Sequence, residues 1–275
     1  MVYAIGLSTC GKEINEDLFR AYREAGITCA EITMNYDRYP DADYRQIARD
    51  AQIQGISLTS MHLPFGPFHQ IDISSTDEFI RSSTIVYLTR LMVKASQAGI
   101  HRFVIHPSGE PIDETERPAR MACARQSLQE LADIAAVLDS VIAVENLPRT
   151  CLGRDSGEML ELLSADPRLV ACFDTNHLLS EDPVVFIRNL AGRIATTHVS
   201  DYDLVDEKHW LPGEGKCDWT ALVKALEEAD YAGPWMYELS FKAPATLPRS
   251  RDLICADFAR NANEVLSGSE ITRII

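Results

Sequence analysis

Side chains with acid, base or metal-ligand chemistry stand at the ends of several apolar segments of this 275-residue sequence. Two glutamates directly follow apolar runs, Glu145 in VIAVENL and Glu238 in WMYELS. A carboxylate at the edge of a buried strand is costly unless it is paired, hydrogen-bonded or bound to a cation. Corresponding positions in other segments hold five more ionisable residues, which are Glu31, His62, His106, Asp174 and His198.

The segment 169–177, LVACFDTNH, is the clearest example. Its apolar run does not alternate, which is typical of a strand covered on both faces in a parallel sheet. Asp174 then lies at the carboxyl end of the strand, where α/β folds place their sites. A simpler interpretation is that Asp174 and Asn176 cap a turn. This segment by itself leaves both interpretations open.

Two glutamates, one aspartate and one histidine from this set would form a shell of oxygen and nitrogen ligands without a thiolate. Such a shell suits one divalent metal ion (Mn, Mg, Co or Zn) rather than an iron–sulfur cluster. The cation would stabilise an enediolate while one carboxylate removes a proton beside a carbonyl and another returns it. Because metal ligation lowers a carboxylate's basicity, the sequence does not identify the base.

These residues are positioned by eight β-like runs that alternate with eight helical patterns. The predicted strands are 2–7, 29–33, 57–62, 102–106, 141–145, 170–174, 194–199 and 235–239. The predicted helices are 14–24, 44–54, 76–98, 114–138, 157–164, 183–190, 219–229 and 251–266. In the third helix, Phe79, Val86 and Leu88 approximate part of an apolar stripe, and Ser75 is available as a cap.

Eight such units without a linker predict an α/β fold with a single (β/α)8 TIM barrel over residues 1–275, of which 267–275 form a C-terminal tail. In a closed barrel, the strand ends project into one mouth. Neither a GxGxxG motif nor a Walker loop is present, which argues against dinucleotide and nucleotide chemistry.

The composition of the sequence limits the classes of partner that the protein can bind. The formal net charge of −15 disfavours nucleic acid, whose phosphates require a basic surface. No apolar stretch approaches the ~20 residues of a membrane span, and no secretory signal opens the sequence, so we expect a cytoplasmic protein with no membrane partner. Seven cysteines without a CxxC pair are expected to be reduced. A homo-oligomer is compatible with the sequence, which does not specify assembly.

The ordered motifs HLPFG, HPSG, VENLP, CFDTNH, HVSD, HWLPGEGKCDW and YELS, between about His62 and Glu238, resemble the xylose-isomerase-like TIM-barrel superfamily. That superfamily includes sugar phosphate isomerases and epimerases and the related endonuclease IV. The resemblance implies a metal-binding quartet of Glu145, Asp174, His198 and Glu238. It also implies that Glu145 and Glu238 are the catalytic acid and base around a small polyhydroxylated substrate, with His177 contacting a substrate oxygen.

Further residues of the predicted mouth are candidates for substrate binding. His62, His106 and His209 belong to this group, although a histidine after a strand is often a hydrogen-bonded loop former. Phe65, Phe68 and Trp210 would form an apolar wall for the carbon face of a sugar, or pack within their loops. Gly213 and Gly215 allow a tight loop over the mouth. Lys216 in that loop meets either a phosphate or solvent.

The predicted function is therefore a metal-dependent sugar or sugar-phosphate isomerase or epimerase. An alternative is an endonuclease IV-like AP endonuclease with a multi-zinc site. The residues that match ligands of its trinuclear site are His62, His106, Glu145, Asp174, His177, His198, His209 and Glu238. Its Asp-x-His pair here reads Glu207-Lys208-His209, which weakens the match. A dehydratase of the dehydroshikimate type uses similar groups. A non-catalytic barrel is a further alternative, which the intact glutamate pair disfavours.

Overall fold

Short buried strands and longer helices alternate along the chain, as the sequence pattern predicts. The computed structural model describes residues 3–274. Its strands are β1 (Ile5–Ser8), β2 (Cys29–Ile32), β3 (Ser57–His62), β4 (Arg102–Ile105), β5 (Val141–Glu145), β6 (Val170–Asp174), β7 (Ile194–His198) and β8 (Trp235–Tyr237). Its α-helices are α1 (Glu16–Glu24), α2 (Tyr44–Ile53), α3 (Glu78–Ser96), α4 (Arg117–Val137), α5 (Ser156–Leu163), α6 (Pro183–Asn189), α7 (Trp219–Glu228) and α8 (Cys255–Ser267). Val2, where the first strand was predicted to begin, lies outside the described residues.

The strands form one parallel sheet with the order β7-β6-β5-β4-β3-β2-β1-β8. The two ends of this order meet through an isolated bridge between Val199 and Tyr237, and the Val199 N–H donates to the Met236 carbonyl at 2.7 Å. Thr197 adds a side-chain link, because its hydroxyl donates to the Pro234 carbonyl at 3.0 Å. The predicted single (β/α)8 TIM barrel is confirmed.

Helix boundaries differ from the predictions where a polar side chain caps the first turn. The α1 helix begins after Asn15, whose side chain accepts a hydrogen bond from the Leu18 N–H, and not at residue 14. Asp77 caps α3, so the proposed capping by Ser75 is wrong. The apolar stripe of α3 is only partly correct, because Phe79 and Val86 are exposed.

Apolar side chains form two separate groups. The large group lies between the sheet and the helices and includes Phe19, Leu128 and Phe258. The small group, Val104, Ala143 and Cys172, comes from the neighbouring strands β4, β5 and β6. Residues two apart on a strand share a face, so Ala143 and Cys172 lie on the same faces as Glu145 and Asp174. The small group therefore forms an apolar layer below the ionisable strand ends.

The residues after α8 return to the barrel mouth. Ile271 packs against Gly213, and the Thr272 N–H donates to Glu264 at 2.9 Å. The predicted tail, as far as Ile274, thus contacts the loop between β7 and α7. Over residues 3–274, none of the helices combines the length and the apolar character that crossing a membrane requires.

Candidate metal centre

The structure brings the seven ionisable strand ends together at the carboxyl end of the barrel. Glu145, which ends β5, is unexposed and lies at their centre. Its Oε1 is 2.8 Å from His198 Nδ1, whereas its Oε2 is 3.0 Å from His62 Nε2 and 3.2 Å from His106 Nε2. Strands that are far apart in the sequence therefore supply one buried network of carboxylates and imidazoles.

Four of these residues can offer ligand atoms to a single cation. One ligand atom from each of Glu145, Asp174, His198 and Glu238 lies within 4.8 Å of the others. We call this group the inner cluster. His198 Nδ1 is 2.9 Å from Glu238 Oε2, which joins the end of β7 to the residue after β8. The inner cluster consists of the quartet that the family resemblance implied.

The two carboxylate oxygens of Asp174 have different surroundings. Oδ1 accepts a hydrogen bond from the Asn176 N–H at 2.6 Å, which is the turn that the simpler interpretation predicts. Oδ2 is buried and has no hydrogen-bond partner among the described residues. A buried oxygen of this kind is costly unless a further group satisfies it. Asp174 can therefore form the turn and still offer one oxygen to a cation.

In the metal-free protein, burial and neighbouring charges shift the pKa values of the clustered residues in opposite directions. Burial raises the pKa of Asp174 to about 6. Burial also opposes ionisation of Glu238, but the neighbouring His198 imidazole lowers the pKa of Glu238 to about 2. Burial and the Glu145 carboxylate act oppositely on His62, and the carboxylate prevails and raises its pKa to about 9. For Asp174, burial outweighs the opposing effect of the His177 and His198 imidazoles.

The donor set fits a divalent cation. It consists of three carboxylates and one imidazole without a thiolate, and such ligands are used for Mn, Mg, Co and Zn. The unpartnered Asp174 Oδ2 faces the other ligand atoms of the inner cluster, since His198 Nδ1 lies 3.9 Å from it. A cation bound here would satisfy this oxygen and offset the clustered negative charge.

A second group lies nearer to solvent, in the loops after β6 and β7. His177, Glu207 and His209 offer ligand atoms within 4.8 Å of one another, and we call them the outer cluster. His177 Nε2 is 3.8 Å from Glu207 Oε2, and His209 Nε2 is 4.0 Å from Glu207 Oε1. Glu207 also forms an ion pair with Arg149 Nη1 at 3.1 Å. The outer cluster is therefore partly neutralised by the protein itself.

The candidates His62 and His106 belong to the buried network, and among the aromatic candidates Phe65 directly adjoins it. Its ring stacks on that of His106 with centroids 4.2 Å apart, and its side chain is partly exposed. Trp210 is held at the backbone by Asp201, and its indole N–H is buried without a partner among the described residues. Lys216 is exposed and forms no ion pair within residues 3–274, so the structure does not bring it to either cluster.

The glycines of the GEG segment are needed because two segments of the backbone approach each other closely there. A Cβ on Gly215 would clash with Asp201 Oδ1 and with the Tyr202 carbonyl oxygen. Asp201 anchors this loop by accepting from the Gly213 N–H at 2.8 Å and from the Trp219 indole N–H at 2.9 Å. The predicted tight loop over the mouth thus has a defined support.

Two asparagines that position the clusters were not predicted as site residues. The Asn146 side chain accepts from the Asp174 N–H at 2.7 Å and donates to the Asp174 carbonyl at 2.9 Å. Asn176 Oδ1 accepts from the N–H groups of Lys208 and His209 at 2.7 and 3.2 Å. Each asparagine lies within two residues of a predicted ligand, and that proximity is the signal that could have identified them.

Solved structures with similar folds include sugar epimerases. A crystal structure of D-psicose 3-epimerase in the presence of D-fructose is 19% identical in sequence, with a TM-score of 0.77 over 96% of this chain and 97% of that one. A D-psicose 3-epimerase with D-tagatose from Clostridium cellulolyticum H10 is 20% identical, with the same TM-score over 97% and 98% of the two chains. At this identity the likeness shows a shared fold.

Sequence comparison adds a local match and a family match. The uncharacterized protein y4fM from Sinorhizobium fredii (strain NBRC 101917 / NGR234) is 29% identical over 69 residues, which cover 24% of this chain and 22% of that protein. The match thus spans about a fifth of that relative. The family model for xylose isomerase-like TIM barrels matches residues 19–255 of this chain. Over most of its length, therefore, the chain belongs to the xylose isomerase-like TIM-barrel family.

Proposed function

We propose that this protein is a divalent-metal-dependent isomerase or epimerase that acts on an uncharged sugar by removing a proton next to a carbonyl. The observation that carries the proposal is the inner cluster, in which the unpartnered Asp174 Oδ2 faces the other three ligands at the barrel mouth. Glu145, Asp174, His198 and Glu238 would hold the cation. When bound, it would supply positive charge to stabilise the negative charge that develops on the substrate oxygens.

The two glutamates differ in their access to a substrate. The Glu238 side chain is 14% exposed, whereas the Glu145 side chain is fully buried. The neighbouring His198 imidazole lowers the pKa of Glu238 to about 2 in the metal-free protein, so its carboxylate is ionised at neutral pH. We assign Glu238 as the group that removes the carbon-bound proton.

Glu145 would act as the second acid-base group through His106. Both Glu145 oxygens face imidazole nitrogens, and the His106 side chain is 15% exposed. Burial lowers the pKa of His106, so its ring is neutral at neutral pH and can accept a proton on one nitrogen while it donates from the other. A proton can thus pass between Glu145 and the mouth.

Three basic residues of the mouth loops already have partners, and the exposed Lys216 reaches neither cluster, which favours an uncharged substrate over a sugar phosphate. Arg149 is engaged by three carboxylates, those of Glu110, Asp206 and Glu207. Lys208 lies 3.6 Å from Asp203 Oδ2, and the Lys12 ammonium lies 3.2 Å from the centroid of the Phe241 ring. These cations already have partners. A phosphate group would have to displace carboxylates or an aromatic ring to bind them.

The fold likeness to D-psicose 3-epimerases supports ketoses as the first substrates to test. The Phe65 ring, which stacks on His106, provides an apolar surface beside the acid-base network. Sugars present apolar C–H faces as well as hydroxyl groups, and such mixed surfaces bind in pockets that combine apolar walls with a few polar groups. This arrangement suits a polyhydroxylated ligand.

The outer cluster favours one alternative, a phosphodiesterase with several metal ions. Its three side chains approach one another closely enough to hold a cation. The ion pair between Arg149 and Glu207 opposes this alternative, as does the net charge of −15. Elemental analysis separates the two proposals, because about one bound ion per chain fits the inner cluster alone and three fit a multi-zinc site.

Substitution of Glu238 by glutamine tests the proposed chemistry. Manganese-loaded protein is incubated with D-psicose, D-fructose or D-tagatose in deuterated water, and deuterium beside the carbonyl is followed by NMR. We expect incorporation by the wild type and a loss of about 10²- to 10⁴-fold in rate for Glu238→Gln. Glu161→Gln on the exposed face of α5 is the matched control and should retain the wild-type rate.

Three outcomes would contradict the proposal. Full turnover by Glu238→Gln with metal still bound removes Glu238 from the mechanism. Absence of deuterium incorporation from every sugar, together with cleavage of abasic-site DNA, would replace the proposed function with the phosphodiesterase alternative. A product that has lost a hydroxyl group as water, with no deuterium in the unreacted sugar, would instead indicate a dehydratase.

A further inference from the structure

Glu31 is a buried carboxylate that belongs to neither metal-ligand group. It lies in β2, is unexposed, and is surrounded by buried residues in the segment Cys29–Ile32. Its Oε1 lies 2.8 Å from His198 Nε2, so the contact reaches across the barrel interior to β7. A carboxylate buried to this extent requires strong partners, and Glu31 has two.

The second partner is Ser60, which fixes the other oxygen. The Ser60 hydroxyl donates to Glu31 Oε2 at 2.7 Å, and Ser60 is also unexposed. The register between β2 and β3 shifts between Ala30 and Glu31, and the shift places Glu31 directly opposite Ser60. The strand irregularity thus aligns one carboxylate with one hydroxyl, and the remaining oxygen is directed to His198.

The two ring nitrogens of His198 face different environments. Nδ1 lies 2.8 Å from Glu145 Oε1 and 2.9 Å from Glu238 Oε2, within the inner cluster. Nε2 faces Glu31. An ionised carboxylate has no proton to donate, so a hydrogen bond from Nε2 to Glu31 requires the Nε2 proton. The unprotonated nitrogen of neutral His198 is then Nδ1, which is the nitrogen that faces the other ligands.

We propose that Glu31, held by Ser60, is a positioning residue that keeps the proton of His198 on Nε2 and directs Nδ1 to the metal. The inference rests on the proposed function only in that the inner cluster holds a cation. Carboxylates that orient a ligating histidine in this way strengthen metal binding, and their loss costs about 10- to 100-fold in affinity. Glu31 touches neither substrate nor metal and acts through His198.

Calorimetric titration of the metal-free protein with Mn²⁺ measures the effect. Glu31→Gln retains the shape of the side chain, but its amide can face Nε2 as either donor or acceptor, so the proton position is no longer imposed. We expect Mn²⁺ affinity to fall about 10- to 100-fold in Glu31→Gln. In Ser60→Ala, which keeps the Glu31 charge, one lost hydrogen bond should cost roughly 2- to 10-fold.

Ser8→Ala is the matched control. Ser8 is another buried serine on a barrel strand, and its hydroxyl donates to Thr33 Oγ1 at 3.0 Å without contact to His198. Its Mn²⁺ affinity should equal that of the wild type. If Glu31→Gln does not fold, the comparison between Ser60→Ala and Ser8→Ala still tests the proposal, because both remove one buried hydroxyl.

A second measurement reports on the histidine without metal or substrate. Long-range ¹H–¹⁵N spectra of the ¹⁵N-labelled metal-free protein, assigned with a His198→Gln variant, distinguish protonated from unprotonated ring nitrogens. At a pH high enough for His198 to be neutral, Nε2 should be protonated and Nδ1 unprotonated in the wild type, and this difference between the two resonances should change in Glu31→Gln. A merely structural role would lower thermal stability and leave both this resonance and Mn²⁺ affinity unchanged.

The outcomes separate this inference from the proposed function. A wild type that binds no divalent ion overturns the proposed function, and the NMR comparison then still shows whether Glu31 controls the His198 proton. A wild type that binds Mn²⁺, together with Glu31→Gln and Ser60→Ala variants of equal affinity and unchanged His198 resonances, overturns this inference alone.

Discussion

The inner and outer clusters use similar residue types, but different parts of the fold hold them. Asp174 and His198 end strands, and neighbouring strands fix their backbones, as in the pairing of Asp174 with His198. Glu207 and His209 lie in a loop, and His209 adopts a positive φ of 52°. The difference indicates that strand ends provide rigid, buried ligands, whereas loop residues provide adaptable groups that other side chains can neutralise.

The largest expected difference is in metal affinity. Asp174→Asn replaces the oxygen of the inner cluster that has no hydrogen-bond partner, so the affinity for Mn²⁺ should fall by more than about 100-fold. This loss exceeds that expected when a residue that only orients a metal ligand is removed. Glu207→Gln in the outer cluster should change the affinity of the first ion by less than about 3-fold, since it is not among those ligands. Equal losses in the two variants would show that the clusters act as one site.

A pH-dependent cost should accompany the inner cluster in the metal-free protein. The pKa of Asp174 is raised by burial from 3.8 to about 6. The carboxyl is protonated in both folded and unfolded states well below pH 4, and is ionised in both well above pH 6, where its burial penalty is complete. Asp174→Asn removes this penalty. We expect the variant to gain on the order of 2 kcal/mol in unfolding free energy relative to wild type as pH rises through this window.

Urea denaturation of both metal-free proteins at pH 4, 5, 6 and 7 measures this gain. The difference between the two proteins isolates Asp174 from the other titrating groups. Glu161→Gln provides a control for a glutamate on an exposed helix face. A constant difference between Asp174→Asn and wild type over this range would contradict the predicted titration.

Substrate affinity should report on the outer cluster. His209 Nδ1 lies 3.3 Å from the Glu238 carbonyl oxygen, and the His209 side chain is about one-third exposed. If it contacts a substrate hydroxyl, His209→Ala should raise KM about 2- to 10-fold and leave kcat nearly unchanged. A fall in kcat comparable with that of Glu238→Gln would place His209 in the catalytic step instead.

The smallest expected effect concerns Arg149, which neutralises the outer cluster. In Arg149→Gln, Glu207 loses a partly exposed ion pair worth at most about 1 kcal/mol, so a second, weak Zn²⁺-binding step should strengthen by up to about 5-fold. Arg154→Gln is the matched control, because Arg154 pairs with Glu114 and Glu158. An unchanged second step in Arg149→Gln would show that Arg149 does not suppress metal binding there.

The sequence was sufficient for the barrel and for the positions of its strand-end residues. Buried strands produce unbroken apolar runs, and every parallel strand brings its carboxyl end to the same mouth. Asp174 and His198 could be located in this way, although their contacts could not. The capping of α3 by Asp77 was missed because both Ser75 and Asp77 are suitable caps, and only the backbone geometry distinguishes them.

Other features depend on contacts between distant parts of the chain. Glu31 was recognised as a strand-end residue, but its alignment with Ser60 depends on a one-residue register shift that no local pattern encodes. Arg149 lies in a loop without any ligand motif, and its partners Glu110 and Glu207 come from two other loops. Lys216 lies beside a glycine-rich turn and was a reasonable candidate, yet its exposed side chain contacts neither cluster.

Closure of the barrel gives the inner cluster a mechanical significance. The junction between β7 and β8 has one isolated bridge and the Thr197 hydroxyl, whereas each other pair of neighbouring strands forms a ladder of at least two residue pairs. His198 and Glu238 face each other across this seam at 2.9 Å. An ion bound by both residues would link β7 to β8 and stabilise this junction against local opening. Amide hydrogen exchange at Val199 and Glu238 should therefore slow on metal binding, at the place where the fewest residues pair between neighbouring strands of the barrel.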